Sequence, residues 1–140
     1  MVSLEGRIAS LDYRAAEVPL VLQAMAKGDA EIILGVASEP GLGHFLLAGL
    51  GGVFTEQLDE VVLVPVPAMP SVIKQILEVS RIGRLIAAIG PLSPVIDALW
   101  ALSLLVAENP AIASIDINPM PVDAGGCTAV DALIVLEETS

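Results

Sequence analysis

Basic residues are scarce in this sequence, and their scarcity excludes several kinds of partner. The 140-residue chain has 6 lysines and arginines against 17 aspartates and glutamates, and its formal net charge is −11 at pH 7. A surface this acidic repels the phosphate backbone of nucleic acids and the head groups of anionic lipids. A general nucleic-acid role is therefore excluded. An anionic ligand such as ATP would need a metal ion, backbone N–H groups or a partner's basic side chains.

Aromatic residues, cysteine and uninterrupted apolar runs are scarce as well. Two Phe, one Trp and one Tyr offer little for base stacking. The single cysteine, Cys127, can form neither an internal disulfide nor a cysteine-cluster metal site. The longest apolar region, Leu85–Ala107, contains Gly90, Pro91 and Asp97, whereas a membrane-spanning helix needs roughly 20 apolar residues. We expect no membrane span, and the composition and the first residues indicate a cytoplasmic protein.

Hydrophobic residues make up 55% of the chain, which is ample for one domain with its own core. Apolar spacing and turn signals predict strands and helices in mixed order, without a regular βαβ rhythm. The predicted fold is α+β with a largely antiparallel sheet and packed helices. Predicted strands are Val18–Met25, Glu31–Val36, Phe45–Leu50, Val61–Val66, Ile112–Ile117 and Thr128–Leu136, and predicted helices are Pro70–Val79 and Ser93–Glu108.

The second predicted helix is the more distinctive one. Ser93 is expected to cap it, with Pro94 in the first helical position. Its apolar residues surround nearly the whole helix, which predicts burial on more than one side. Residues 1–17 are expected to form an N-terminal arm or edge strand, and residues 18–140 a single domain.

The segment Asp116-Ile117-Asn118-Pro119, followed by Asp131, is the most informative for chemistry. Asp116 and Asn118 share one face of a strand. If Ala124-Gly125 are the central turn residues, Asn118 lies directly opposite Asp131. A turn one residue later makes the two diagonal neighbours on the same face. Two carboxylates and an amide oxygen suit magnesium. The alternative is that Asn-Pro marks a turn and Asp131 faces solvent.

Several motifs resemble the second half of the ATP-grasp domain of ADP-forming acyl-CoA synthetases and of succinyl-CoA synthetase beta subunits. Residues 114–122 resemble the family's acidic-x-Asn-Pro-apolar motif, and residues 129–132 resemble its second metal-ligand strand. Residues 21–25 resemble the hinge that contacts adenine through its backbone. The series continues through residues 31–36, Gly43 and Gly49-Leu50-Gly51-Gly52, and it covers roughly residues 18 to 138.

This resemblance implies a ligand set and a role. Mg2+ would be held by Asn118 and Asp131, with Asp116 supporting or contacting it. ATP would be bound through Gln23, Ala24 and Met25 at adenine and through the Gly51-Gly52 backbone. Glycines at 49–52 equally suit a tight turn or a chain crossing. No catalytic residue is predicted: His44, the only histidine, is not where the family carries its phosphorylated histidine, and Cys127 is expected to be structural.

Two departures from the family pattern bear on function. The first ATP-grasp lobe, which supplies a phosphate-binding lysine, and the CoA-binding and ligase domains would have to lie on the same or another chain. The family's Gly-x-Arg-Gly motif aligns with Ala87-Ala88-Ile89-Gly90, so its arginine is missing. The hypotheses are a nucleotide-binding part of an acyl-CoA synthetase, a degenerate non-catalytic module for assembly or regulation, and an unrelated α+β domain. The apolar composition also predicts a homo-oligomer.

Overall fold

The computed structural model of the chain describes residues 23–51 and 61–137. Within these ranges, six strands form one antiparallel sheet, and three helices pack on one of its faces. The strands are β1 (Ala30–Glu39), β2 (Gly43–Leu50), β3 (Val62–Pro65), β4 (Ile112–Asp123), β5 (Gly126–Cys127) and β6 (Ala132–Leu136), and the helices are α1 (Pro70–Val79), α2 (Arg81–Ile89) and α3 (Ser93–Glu108). The predicted α+β class with an antiparallel sheet is confirmed.

The sheet has the strand order β3-β2-β1-β4-β5, and β6 also pairs with β4. Period-2 alternation along β1 buries Ile32, Leu34 and Val36 against the helices. The helices contribute fully buried side chains to the same core, among them Ile73 and Leu99. Burial of each such side chain is worth about 1.5–3 kcal/mol relative to exposure. The opposite face of the sheet is not covered by any described helix.

A tight corner joins α1 to α2. Ser80 ends the first helix and caps the second, since its Oγ accepts a hydrogen bond from Gly83 N–H at 2.9 Å and donates one to the Leu77 carbonyl at 2.8 Å. A Cβ atom on Gly83 would collide with that carbonyl. The corner therefore requires glycine at position 83. The helix that contains it, α2, was not among the predicted helices.

A buried serine joins α3 to the segment before α1. Ser103 is 1% exposed, and its Oγ accepts a hydrogen bond from the Ala68 backbone N–H at 2.9 Å. Ala68 follows directly after the cis Val66–Pro67 peptide, where no strand or helix supplies a backbone partner. Ser103 thus satisfies a buried donor that secondary structure leaves unpaired.

Five predictions about the elements need correction. Gln23–Met25 are not in a strand, and residues 18–22 lie outside the described residues. β4 runs on through the prolines to Asp123. Of the last predicted strand, Thr128–Leu136, only Ala132–Leu136 forms a strand, and β5 lies before it at Gly126–Cys127. Ser93 is the first residue of α3 and makes no capping hydrogen bond. Finally, α3 is buried on one face only within the described structure, with Trp100 40%, Leu104 46% and Leu105 37% exposed.

Candidate functional site

The candidate site begins at an irregularity in β4. Leu34 of β1 pairs with Ile117 and Ile32 pairs with Met120, so Asn118 and Pro119 together stand opposite one residue of β1. Such a β-bulge lets the buried side of β4 change from Ile115 to Met120 without losing the sheet, and bulges commonly occur beside functional sites. Asn118-Pro119, joined by a cis peptide, is thus part of a strand and does not form a turn.

From Ser114 to Asp123, one register joins β4 to the chain that follows it. Asp123 pairs with Gly126, Val122 with Cys127, and Ile117 with Ala132. Between these pairs, Val130 N–H donates to the Pro119 carbonyl at 3.3 Å. The central turn residues are therefore Ala124 and Gly125, as the first of the two predicted turns required. The register places Asn118 directly opposite Asp131.

Asn118 and Asp131 occupy a site of the ladder where side chains come close. Because the neighbouring positions carry the ladder hydrogen bonds, the two form a non-hydrogen-bonded pair, whose Cα atoms are typically about 4.5 Å apart. Asp116 pairs with Leu133 on the same side of the ladder and is diagonal to Asp131. The three predicted metal ligands therefore share one surface.

The donor chemistry of this set fits a magnesium ion whose shell is completed by phosphate oxygens and water. Asp116, Asn118 and Asp131 are all exposed. One oxygen of Asp131, Oδ1, accepts the Ala132 backbone N–H at 2.9 Å, which leaves Oδ2 for a ligand. No group of three or more His, Cys, Asp or Glu side chains that could hold a metal occurs among the described residues. Magnesium commonly takes only one or two protein carboxylates, so such a group is not required.

A cleft of about 470 Å³ adjoins this set. Gln23, Ala24 and Met25 form one wall, and no hydrogen bond joins their backbone to another residue of the described ranges. The wall is held in place where Gly28 passes β4 so closely that a Cβ atom would lie 2.8 Å from Val122 N, and Asp29 N–H donates to the Val122 carbonyl at 2.8 Å. The structure therefore brings the predicted hinge to Pro119 and Val130, which directly adjoin Asn118 and Asp131 in the chain. The opposite wall consists of Pro119, Pro121, Val130 and Glu31.

Glu31 is a cleft residue that the sequence reasoning did not assign to the site. It is exposed, it stands opposite Pro121 in the β1–β4 ladder, and it lines the cleft with the three hinge residues. The signal available in the sequence was a carboxylate at the first residue of a predicted strand, just after the turn that follows the hinge. A carboxylate there offers two acceptors for hydroxyl groups.

The predicted glycine contacts have a different outcome. Gly51 N–H donates to the Glu31 carbonyl at 2.9 Å, and a Cβ atom on Gly51 would lie 3.3 Å from that oxygen. Its backbone thus already serves the sheet. Gly52 lies outside the described residues, so its predicted contact is not described by the structure.

His44 and Cys127 lie away from the cleft. His44 Nε2 donates to the Ile112 carbonyl at 2.7 Å, which ties β2 to the start of β4. Cys127 packs half-buried against the core, where burial, and then the Asp97 carboxylate, raise the pKa of its thiol. A raised pKa lowers the thiolate fraction at neutral pH, so the thiol is a poor nucleophile.

Cationic side chains are missing from the cleft as far as the structure describes it. Lys27 lines a separate open depression of about 500 Å³ with Asp29 and Asp123. Arg84 donates from Nη1 to the Val79 carbonyl at 2.8 Å on the helix layer. At the aligned position of the missing arginine motif, Gly90 packs against the Asp123 carbonyl. Phosphate groups in this cleft would be met by carboxylates, which makes a metal ion or a partner's cations necessary.

Comparison with known proteins decides the family. A model of the ATP-grasp domain matches residues 2–136. The chain belongs to the ATP-grasp family. This ATP-grasp chain is 32% identical to the beta subunit of acetate–CoA ligase (ADP-forming) II from Pyrococcus furiosus, over 84% of the chain and 53% of that subunit. It is 31% identical to a trans-feruloyl-CoA synthase of an unknown prokaryotic organism, over 94% of the chain and 20% of that protein.

Solved structures agree with this assignment. A Pyrococcus horikoshii Ot3 protein superposes with a TM-score of 0.74 at 30% identity, over 82% of this chain and 52% of the other. A dinucleotide-forming acetyl-coenzyme A synthetase from Ca. Korarchaeum cryptofilum, in complex with coenzyme A and Mg-AMPPCP, gives 0.71 at 28% identity, over 81% and 55%.

The ATP-grasp chain is shorter than the relatives it matches. It spans about half of the Pyrococcus subunit and about a fifth of the feruloyl-CoA synthase, at 53% and 20% of their lengths. In the described ranges, no helix is both long enough and apolar enough to cross a membrane.

Proposed function

We propose that this chain is the Mg-ATP-binding portion of an ADP-forming acyl-CoA synthetase and is incomplete as an enzyme by itself. The observation that supports the proposal is the cleft that joins the Gln23–Met25 wall to Pro119 and Val130, which are the chain neighbours of Asn118 and Asp131. Adenine would pair with the backbone of the wall, because no sheet or helix uses those groups. The Glu31 carboxylate would accept hydrogen bonds from ribose hydroxyls.

Magnesium would be held by Asn118 and Asp131, with Asp116 beside them. When bound, the ion would neutralise charge on the transferring phosphoryl group. This chain's residues would orient the phosphates against the open face of the sheet. The Gly52 backbone stays a predicted contact, whereas the Gly51 N–H already donates to the Glu31 carbonyl. Cations for the phosphates would come from the first ATP-grasp lobe, on the same or another chain together with the CoA-binding and ligase domains. We assign the assembly to the cytoplasm.

The second candidate function is a non-catalytic module for assembly or regulation that keeps the ATP-grasp fold. One observation favours it: neither the cleft nor the aligned Ala87–Gly90 segment carries a lysine or arginine. With carboxylates alone, free ATP would be repelled.

A calorimetric titration of the 140-residue chain with Mg-ATP tests the proposal. The informative variant is Asp131→Asn, which keeps an oxygen for the Ala132 N–H but removes the charge that would face the metal. Asp97→Asn removes an exposed carboxylate from α3 and is the matched control. We expect saturable binding by the parent chain and the control, and at least about a tenfold loss with Asp131→Asn.

Repeating the titration with a first ATP-grasp lobe added in trans separates the two candidates. Binding that appears only with the lobe supports an incomplete nucleotide site. Absence of Mg-ATP binding by the folded chain in both arrangements contradicts the proposal and favours the non-catalytic module.

A further inference from the structure

The outer edge of β6 is an unusually unprotected strand. All five residues of the strand are exposed, with Leu133 62%, Ile134 49%, Val135 43% and Leu136 62% exposed. Within the described structure β6 pairs only with β4. Edge strands are normally guarded by lysine, proline or a bulge, because their free N–H and C=O groups accept another strand. The sequence Ala-Leu-Ile-Val-Leu contains neither lysine nor proline.

Alternate residues of β6 have backbone N–H and C=O groups that point away from β4, toward the outer edge of the sheet. Val130 N–H donates to the Pro119 carbonyl of β4, and partners alternate along an antiparallel strand. Ala132 and Ile134 therefore direct their backbone groups toward β4, whereas Leu133 directs its N–H and C=O away from it. Val135 points the same way, so a strand added at this edge would bond to Leu133 and Val135, on either side of Ile134.

Charge decides what kind of strand fits there. Asp131 and Glu137 flank the apolar residues, and Asp116 stands opposite Leu133 in the neighbouring strand. No lysine or arginine occurs anywhere from Ile112 to Glu137. The edge thus presents an apolar centre with carboxylates at both ends.

A second copy of the chain is a poor occupant of this edge. If two copies paired antiparallel about Ile134, Asp131 of each would lie opposite Glu137 of the other. Like charges directly opposite one another destabilise a strand pair. A strand with an apolar centre and basic ends would instead place a cation at each carboxylate.

We propose that the β6 edge docks an extended segment of a different polypeptide, with apolar residues at its centre and lysine or arginine at its ends. Main-chain hydrogen bonds at Leu133 and Val135 provide the attachment, and the flanking carboxylates select the partner and its register. The docked strand would share Asp131 and Asp116 with the magnesium site proposed above, whereas Leu133 and Glu137 lie outside that set, so variants at these two residues test the docking separately.

The test uses two fluorescent peptides and the 140-residue chain in metal-free buffer. The probe is Lys-Lys-Val-Thr-Val-Thr-Val-Lys-Lys, and its matched control replaces every lysine with glutamate. Fluorescence polarisation is expected to give binding of the basic peptide roughly fivefold or more tighter than the acidic one. The preference should shrink in about 0.5 M salt, where exposed charges are screened.

Two substitutions distinguish the contribution of strand pairing to peptide binding from the contribution of charge. Leu133→Pro removes the outward N–H and should weaken the basic peptide at least tenfold, as roughly expected for a lost strand pairing. Glu137→Lys leaves the strand intact and should shift the preference toward the acidic peptide. Leu104→Lys, on the exposed face of α3, is the control that should leave both affinities unchanged. Circular dichroism verifies that each variant is folded, and Glu137→Lys keeps the test valid if Leu133→Pro does not fold.

Three results would overturn the proposal. Equal binding of the two peptides would show that charge does not select the partner. Undiminished binding by folded Leu133→Pro would show that the peptide does not bind at the β6 edge. Concentration-dependent dimerisation that Leu133→Pro abolishes identifies a second copy as the occupant.

Discussion

At the scale of single residues, Ser103 shows how a polar group inside a helix acquires a purely structural role. Its hydroxyl is the partner of the Ala68 N–H in a segment that has no ladder and no helix to satisfy it. The sequence shows only a serine among leucines, which would be compatible with an exposed position. Ser103 is buried by the Val66–Pro67 segment, which is distant in the sequence, so no local pattern predicts its burial.

We predict that Ser103→Ala lowers the free energy of unfolding by about 1–3 kcal/mol, because it leaves a buried backbone donor without a partner. Ser71→Ala, at an exposed position of α1, is the control and should change it by less than about 0.5 kcal/mol. Urea unfolding followed by circular dichroism measures both. Equal stability of Ser103→Ala and the parent chain would contradict this account of the serine.

At the scale of elements, local patterns predicted α1 and α3 with their observed bounds, because proline at the start and a periodic apolar face are properties of the segment itself. The same reasoning did not find α2, whose existence depends on the corner at Ser80. It also ended β4 too early. Asn-Pro is a turn signal by itself, but pairing with β1 on one side and with Val130 on the other keeps the strand extended there.

We predict that Gly83→Ala destabilises the chain, although alanine normally favours a helix over glycine by about 1 kcal/mol. The new methyl group would meet the Leu77 carbonyl, so the α1–α2 corner must open. The matched control is Gly49→Ala, where the nearest atom to the new methyl group would be 3.9 Å away. Thermal melting should show a lower midpoint for Gly83→Ala only. A higher midpoint for that variant would mean that the corner adapts without cost.

At the scale of the whole molecule, exposed apolar side chains occur on α3 as well as on β6. The outward side of α3 exposes Trp100, Leu104 and Leu105, while the region of the cleft and β6 carries carboxylates and no described cation except in the neighbouring depression. Apolar surface favours association, and a net charge of −11 opposes it. We therefore place the predicted homo-oligomer contact on α3, and a contact with a basic partner at the acidic side.

The expected outcome is self-association that strengthens with salt, because screening removes the repulsion between acidic copies. Sedimentation equilibrium should show an average mass that rises with protein concentration and with salt. Leu104→Glu should return the chain to monomer, whereas Leu133→Pro should leave the association unchanged. A monomer at all concentrations would contradict the predicted homo-oligomer.

The sequence alone determined the fold class and two of the three described helices, because period and turn chemistry are local quantities. It narrowed the pairing of Asn118 and Asp131 to two registers, and strand pairing in the folded chain chose the one that sets them directly opposite each other. It also showed that the single cysteine has no partner in the chain for a disulfide. Only the tertiary structure decided that the Gln23–Met25 wall meets Glu31 and Pro119 in one cleft, that Gly51 serves the sheet, and that β6 has an open edge. Each of these depends on which distant segments pack together, and packing is a property of the folded chain as a whole.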